Sequence, residues 1–217
     1  MAASMRCSLY ALAALMCLSA CGAPAPRYPT LEDLNRESCL QSIKPGDNTE
    51  TELLAALRSC KTVTKVDDPQ PIAGTPGTAH GWQLASGLFG SAETAEGVLL
   101  KRSYVVAQGM PLSDILSTYG KPDSVWRSDS GSVGQCSAVI RLLYFQRALA
   151  FEIARPYTCG SDFIINSALS TTGYAQFVSG NLDEVLKSAY HLAGMALAKA
   201  HTEIRPWTGY DSLKLAP

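Results

Sequence analysis

The side chains that could carry chemistry here are three histidines, seven cysteines and scattered serines and carboxylates, and their spacing assembles none of the common catalytic sets. His80 stands alone. His191 and His201 fall on one predicted helix ten residues apart, which puts them about 15 Å from each other, too far to ligate one metal. Solvated or boundary positions are expected for all of them. A Ser-His-Asp enzyme needs its nucleophile on a strained turn, yet no G-x-S-x-G occurs, and Ser130 and Ser132 lie in a polar stretch expected to be a loop. There is no HExxH and no acidic pair suited to sugar or peptide hydrolysis. Gly74-Thr75-Pro76-Gly77 lacks the Lys-Ser/Thr of a phosphate loop. The expectation is a protein that is not an enzyme and carries no cofactor and no metal. An enzyme would show itself by a concave polar pocket on which two or more titratable residues converge.

The elements that position these residues begin with an export signal. Arg6 precedes the apolar run Leu9–Leu18, and Gly22-Ala23-Pro24-Ala25-Pro26 follows it at once, the layout of a secretory signal. The run falls short of the about 20 apolar residues that span a bilayer. Its last residues, Leu18-Ser19-Ala20-Cys21, resemble the bacterial lipobox: an aliphatic residue, two small residues and a cysteine. Cys17 is the weaker match, since Met16 is bulky where the pattern needs a small residue. The resemblance implies that residues 1–20 are removed and that Cys21 becomes the first residue, carrying a diacylglycerol with acyl chains such as palmitate. Gly22 in place of Asp implies sorting to the outer membrane, with the domain facing the periplasm. The partner implied is thus the membrane, reached through lipid.

Loss of residues 1–20, which hold Arg6 and no acid, takes the formal net charge from −1 to −2. With no basic cluster, nucleic acid is excluded as a partner. Cys7 and Cys17 leave with the signal and Cys21 with the lipid, so Cys39, Cys60, Cys136 and Cys159 remain. In an oxidising periplasm four cysteines allow three pairings, which sequence alone does not separate. The local one, Cys39 with Cys60 and Cys136 with Cys159, is expected because each pair would staple one predicted unit. Neither pair forms a CxxC or has a nearby histidine for a zinc site.

Residues 21–29 read as a Pro-rich tether. Residues 30–66 are expected to form a helical hairpin: Thr30–Leu40 carries Leu31, Leu34 and Leu40 at helical spacing. A turn over Lys44–Asn48 leads to a second helix capped by Thr49 and Glu52, with Leu53, Leu54 and Leu57 on one face. Lys61–Val66 suggests a short strand. Residues 67–81, rich in proline and glycine, read as a linker before an α+β domain over 82–217. In that domain Val98–Val106 reads as a strand and Pro111–Tyr119 as a helix stopped by Gly120. Ser124–Arg127, Val139–Gln146 and Leu149–Ala154 read as an antiparallel meander, with Arg127–Gln135 as a loop. Leu182–His201, capped by Asn181, reads as one long helix packing its alanine-rich stripe inward. The fold class expected is α+β: a helical hairpin plus a small antiparallel sheet with a short helix and a long C-terminal helix.

The stretch Gly109-Met110-Pro111 through Gly120-Lys121-Pro122 and Val125 resembles the SmpA/OmlA (BamE-like) family, which shows a Gly-Met, a short helix and then Gly-x-Pro leading into strands. Leu142-Leu143-Tyr144-Phe145 and Leu149–Ile153 look like that family's central strands, so the resemblance covers about residues 103–155. It implies a scaffold or accessory role in outer-membrane protein assembly, with a protein partner in the envelope. Other roles considered are a lipoprotein of a secretion or conjugation apparatus, such as a pilotin or an exclusion factor, and a periplasmic inhibitor of a hydrolase. Trp126, Arg127, Trp207 and Tyr210 are the candidate partner contacts, since aromatics with arginine concentrate at hot spots. A docking or inhibitor role predicts that the Arg127–Gln135 loop and the sheet face project aromatic or charged side chains into solvent. A pilotin predicts an apolar groove beside the C-terminal helix.

Overall fold

The computed structural model describes residues 39–105, 109–132, 134–159 and 169–214. The signal, Cys21, the tether and residues 30–38 of the first predicted helix lie outside the described residues. The architecture departs from the expected small sheet: ten strands form one antiparallel sheet, and among the described residues the helices are short. The strands are β1 (Val63–Val66), β2 (Gln70–Pro71), β3 (Gly77–Leu84), β4 (Phe89–Ala95), β5 (Val98–Val105), β6 (Ser124–Ser132), β7 (Gln135–Tyr144), β8 (Leu149–Thr158), β9 (Gly173–Phe177) and β10 (Ile204–Pro206). The helices are α1 (Glu50–Ser59), α2 (Leu112–Tyr119), α3 (Leu182–Ser188) and α4 (Gly194–Glu203).

The sheet order, β1-β3-β4-β5-β9-β8-β7-β6-β10, is built from two meanders, β3–β5 and β6–β8, joined edge to edge by β9. β9 pairs with β5 from Lys101↔Phe177 to Val105↔Gly173 and with β8 from Leu149↔Gln176 to Glu152↔Gly173. An aromatic ladder runs over this joint on one face. Ring centroids lie 5.9 Å apart for Trp82–Tyr104, 5.8 Å for Tyr104–Tyr174, 6.2 Å for Tyr174–Phe151 and 4.8 Å for Phe151–Tyr119. Such offset or edge contacts add to the area each ring buries. The ladder starts on a glycine, because Trp82 lies over its cross-strand partner Gly90, where a Cβ would stand 2.1 Å from the indole.

α1 and α2 cover that face. Thr49 and Glu52 form the expected capping box at the start of α1, and Leu53 and Leu57 are buried in the same core as Trp82, Leu99 and Tyr104. The expected linker therefore does not separate two units: Gln70–Pro71 and Gly77–Gly81 are strand residues paired in the sheet that α1 packs against. Gly120 ends α2 as expected, at φ +78°, in the left-handed region that glycine enters without a Cβ clash. Its carbonyl accepts the Tyr144 hydroxyl at 2.9 Å.

α3 and α4 cover the opposite face over β6–β9, burying Val185, Leu186, Ala189 and Ala200 against Trp126, Leu143, Ala150 and Phe177. They replace the single long helix expected over Leu182–His201. Asn181 caps α3 as expected, but the chain leaves the helix after Ser188, and φ is +52° both at His191 in the connection and at Gly194, the first residue of α4. Two apolar stripes of similar period had read as one. Met195, in the expected inward-facing stretch, is 90% exposed.

The predicted loop Arg127–Gln135 belongs to the β6–β7 hairpin, with register pairs from Arg127↔Ile140 to Ser132↔Gln135. Its polar residues are accommodated because Arg127 and Asp129 neutralise each other. The guanidinium donates Nε and Nη2 to the two Asp129 carboxylate oxygens at 2.8 Å each, and Nη1 to the Leu213 carbonyl at 3.0 Å. The cysteines stand as two pairs at disulfide distance, Cys39 with Cys60 and Cys136 with Cys159, their Cα atoms 5.3 and 5.1 Å apart. The second pair closes the open end of the β7–β8 hairpin, where Cys136 lies opposite Tyr157.

Candidate functional site

Strand alternation places Phe89, Ser91 and Glu93 of β4 on the second face of the sheet, opposite Val105, Ser103 and Lys101 of β5. Small residues of β9 and β8, namely Gly173, Ala175, Ala150 and Ala154, continue the floor, and the α3–α4 connection stands beside it as a wall. The result is a trough of about 480 Å³. One end is charged and the other apolar. At the apolar end stands Val105, 60% exposed, and its cross-strand partner Phe89, 54% exposed, flanks it outside the lining.

At the charged end Glu93 Oε1 lies 2.5 Å from Lys101 Nζ, and its other oxygen lies 2.8 Å from His191 Nε2. Lys101 also donates to the carbonyl of Ala189 at 2.9 Å, so a strand lysine supplies the cation that the C-terminal end of α3 favours. Arg141 Nε stands 3.0 Å from Glu152 Oε2, and its guanidinium lies 4.6 Å from the Trp126 ring centroid and 5.5 Å from that of Tyr190. Burial pushes the Tyr190 hydroxyl up to about 12, with Glu152 and Glu93 adding to the rise against Arg141. It stays protonated at neutral pH. Titratable groups therefore converge on a concave surface, an arrangement that no motif in the sequence announced. Glu93 sits in Phe89–Ala95, a stretch of glycine, serine and threonine, and His191 reaches it only because the helix breaks.

The expected contact residues divide. Trp126 is buried and donates its indole N–H to Glu203 Oε2 at 2.9 Å, and Arg127 is buried in the Asp129 pair. Both are internal, because a paired guanidinium and a satisfied indole belong to the packing of β6. Trp207 is half-buried against the first core, and only its ring neighbour Tyr210, 6.0 Å away, is exposed, at 41%. The four do not form one surface. Each histidine meets a different carboxylate: His80 Nε2 lies 3.1 Å from Glu50 Oε1, and His201 Nε2 lies 2.8 Å from Asp183 Oδ1. His80 is a buried core residue, against the solvated or boundary position expected. Among the described residues no three His, Cys, Asp or Glu side chains are grouped to hold a metal ion, and no helix is long and apolar enough to cross a membrane. No protein-family model, curated protein or solved structure matches the chain.

Proposed function

We propose that this chain is a lipid-anchored envelope protein, held at the outer membrane through Cys21 and facing the periplasm, that serves as a non-catalytic accessory subunit and grips a protein partner along the trough. The observation that carries the binding role is the exposed cross-strand pair of Val105, which lines the concave floor of small residues, and Phe89 beside it. A contiguous apolar patch beside a polar rim is the composition of an interface. The charged groups beyond it are matched among themselves, both Glu93 oxygens being engaged, which suits rim recognition better than proton transfer. The lipobox supports the anchor, and the SmpA/OmlA-like stretch, folded here as α2 followed by the β6–β8 meander, supports a role in outer-membrane assembly.

Crosslinking followed by pull-down of the lipidated chain from its own envelope tests this. The wild type should capture a defined envelope complex and Phe89→Asp/Val105→Asp should not; an unchanged set of captured proteins would sink the trough as interface. Cys21→Ser should release the chain from the membrane fraction, and full retention would refute the anchor.

One observation favours a second reading, acid–base catalysis: Glu93, Lys101 and His191 stand within hydrogen-bonding distance in a concavity, the convergence of titratable groups by which an enzyme shows itself and which counts against a purely non-catalytic role. Turnover of chromogenic acyl or glycosyl esters that vanishes in a folded His191→Ala variant would establish it.

A further inference from the structure

A second concavity is separate from the trough. It lies where the strap Gln41–Asp47 crosses the end of β9, next to the turn that joins β7 to β8, and encloses about 660 Å³, within the about 300–1,000 Å³ usual for small-molecule sites. Its charged lining is one-sided: Lys44, Arg102 and Arg147 against the single carboxylate of Asp47. The cations differ in setting. Arg102, on β5, is 2% exposed, held by Nη1 to the Leu40 carbonyl at 2.5 Å and by Nη2 to Gln176 Oε1 at 2.6 Å, with its Cζ 5.8 Å from the Tyr104 ring centroid. A guanidinium fixed at that depth places a positive charge of set position under the cavity. Burial pulls its pKa down, against the pull of Tyr104 and Tyr174, so it is placed at a cost that an anion would relieve. Lys44 and Arg147 are exposed at the rim, and neither is in an ion pair among the described residues. The Tyr119 ring lies 5.9 Å from the Arg147 Cζ.

We infer that this cavity binds a phosphate monoester. The lining carries an excess of two positive charges, the complement of a group that is close to dianionic at neutral pH; the exposed Arg147 fork and Lys44 ammonium can donate to its terminal oxygens, and Arg102, its Nη atoms held by Leu40 and Gln176, adds fixed positive charge beneath them. Pro45, Ala148 and Phe177 supply an apolar wall for the body of the ester. The site is independent of the trough and of the partner proposed there. The same headgroup chemistry could arrive on a soluble ester or on a lipid, and the test separates the two.

The full chain carrying Cys21→Ser, so that no anchor contributes, is titrated with inorganic phosphate and with glycerol 3-phosphate by calorimetry. It is also sedimented with phosphatidylcholine vesicles with and without phosphatidic acid. Lys44→Ala/Arg147→Ala is the comparison, because both side chains are exposed and the variant should keep its far-ultraviolet spectrum and thermal midpoint, whereas Arg102 is too deeply packed to replace safely. Saturable binding of a soluble probe, weakened about tenfold or more in the double variant, assigns the cavity to soluble phosphate esters. Vesicle binding that requires phosphatidic acid and is lost in the variant, without soluble binding, assigns it to a lipid headgroup. Absence of binding to every probe up to about 10 mM, or equal binding by wild type and variant, overturns the assignment.

Discussion

Glu93 of β4 and His191 of the α3–α4 connection are 98 positions apart in the chain, yet Glu93 Oε2 and His191 Nε2 lie 2.8 Å apart. With Lys101 bonded to both Glu93 and the end of α3, this single carboxylate ties the helical cover to the first meander.

Glu93 should therefore matter more than its modest burial suggests. Glu93→Ala leaves Lys101, 14% exposed, without its partner and should cost about 1–3 kcal/mol, more than His191→Ala. Denaturant unfolding measures the cost, and amide exchange in α3 and α4 should speed up in step; equal stability of Glu93→Ala and wild type would refute the tie.

The Arg127–Asp129 pair predicts an acid limb. Burial by itself would raise the Asp129 carboxyl, but hydrogen bonds from Arg127 and Tyr157 and the Arg127 charge together hold it below the usual range. A depressed carboxyl contributes stability that is complete above its unfolded pKa, about 3.9, and is lost as pH falls through the lower folded value. Asp129→Asn should lower stability at neutral pH and flatten the decline below about pH 4. Parallel curves for variant and wild type below that point would contradict the assignment. Tyr157→Phe removes the 2.5 Å bond to Asp129 and should reproduce the effect in part.

Gly90 should tolerate no side chain. A Cβ there would stand 2.1 Å from the Trp82 ring, and Gly90→Ala should cost about 1–3 kcal/mol by overpacking. Combining it with Trp82→Leu should recover part of the loss relative to the sum of the two single changes, as coupled neighbours do. Strict additivity in unfolding measurements would argue against the contact.

Peptide mapping without reduction should recover Cys39 linked to Cys60 and Cys136 linked to Cys159. The loops closed span 21 and 23 residues, so removing either bridge by a Cys→Ser pair should cost about 2–4 kcal/mol. Peptides joining Cys39 or Cys60 to Cys136 or Cys159 would overturn the pairing.

What the sequence determined by itself was local. The Thr49/Glu52 and Asn181 caps, the Gly120 stop and the strands around Leu142 and Leu149 each depend on residues near in the chain, whose hydrogen-bonding needs and steric limits hold in almost any surroundings, whereas four cysteines left three pairings open until the fold brought Cys39 to Cys60 and Cys136 to Cys159. What only the tertiary structure decided is the sheet. Phe89–Ala95 and Gly77–Gly81 carry too few β-branched residues to read as strands, and they become strands because neighbours on both sides satisfy their backbone groups. Arg127 reads as a loop residue until Asp129 and the Leu213 carbonyl accept its hydrogen bonds, and His191 reads as helical until the chain turns to bring it over Glu93. The insertion of β9 between β5 and β8 is the deciding step, since it joins two meanders that are each plausible alone. Pairings between strands so distant in the chain leave no local periodicity, because their stabilisation arises only after the loops between them have closed.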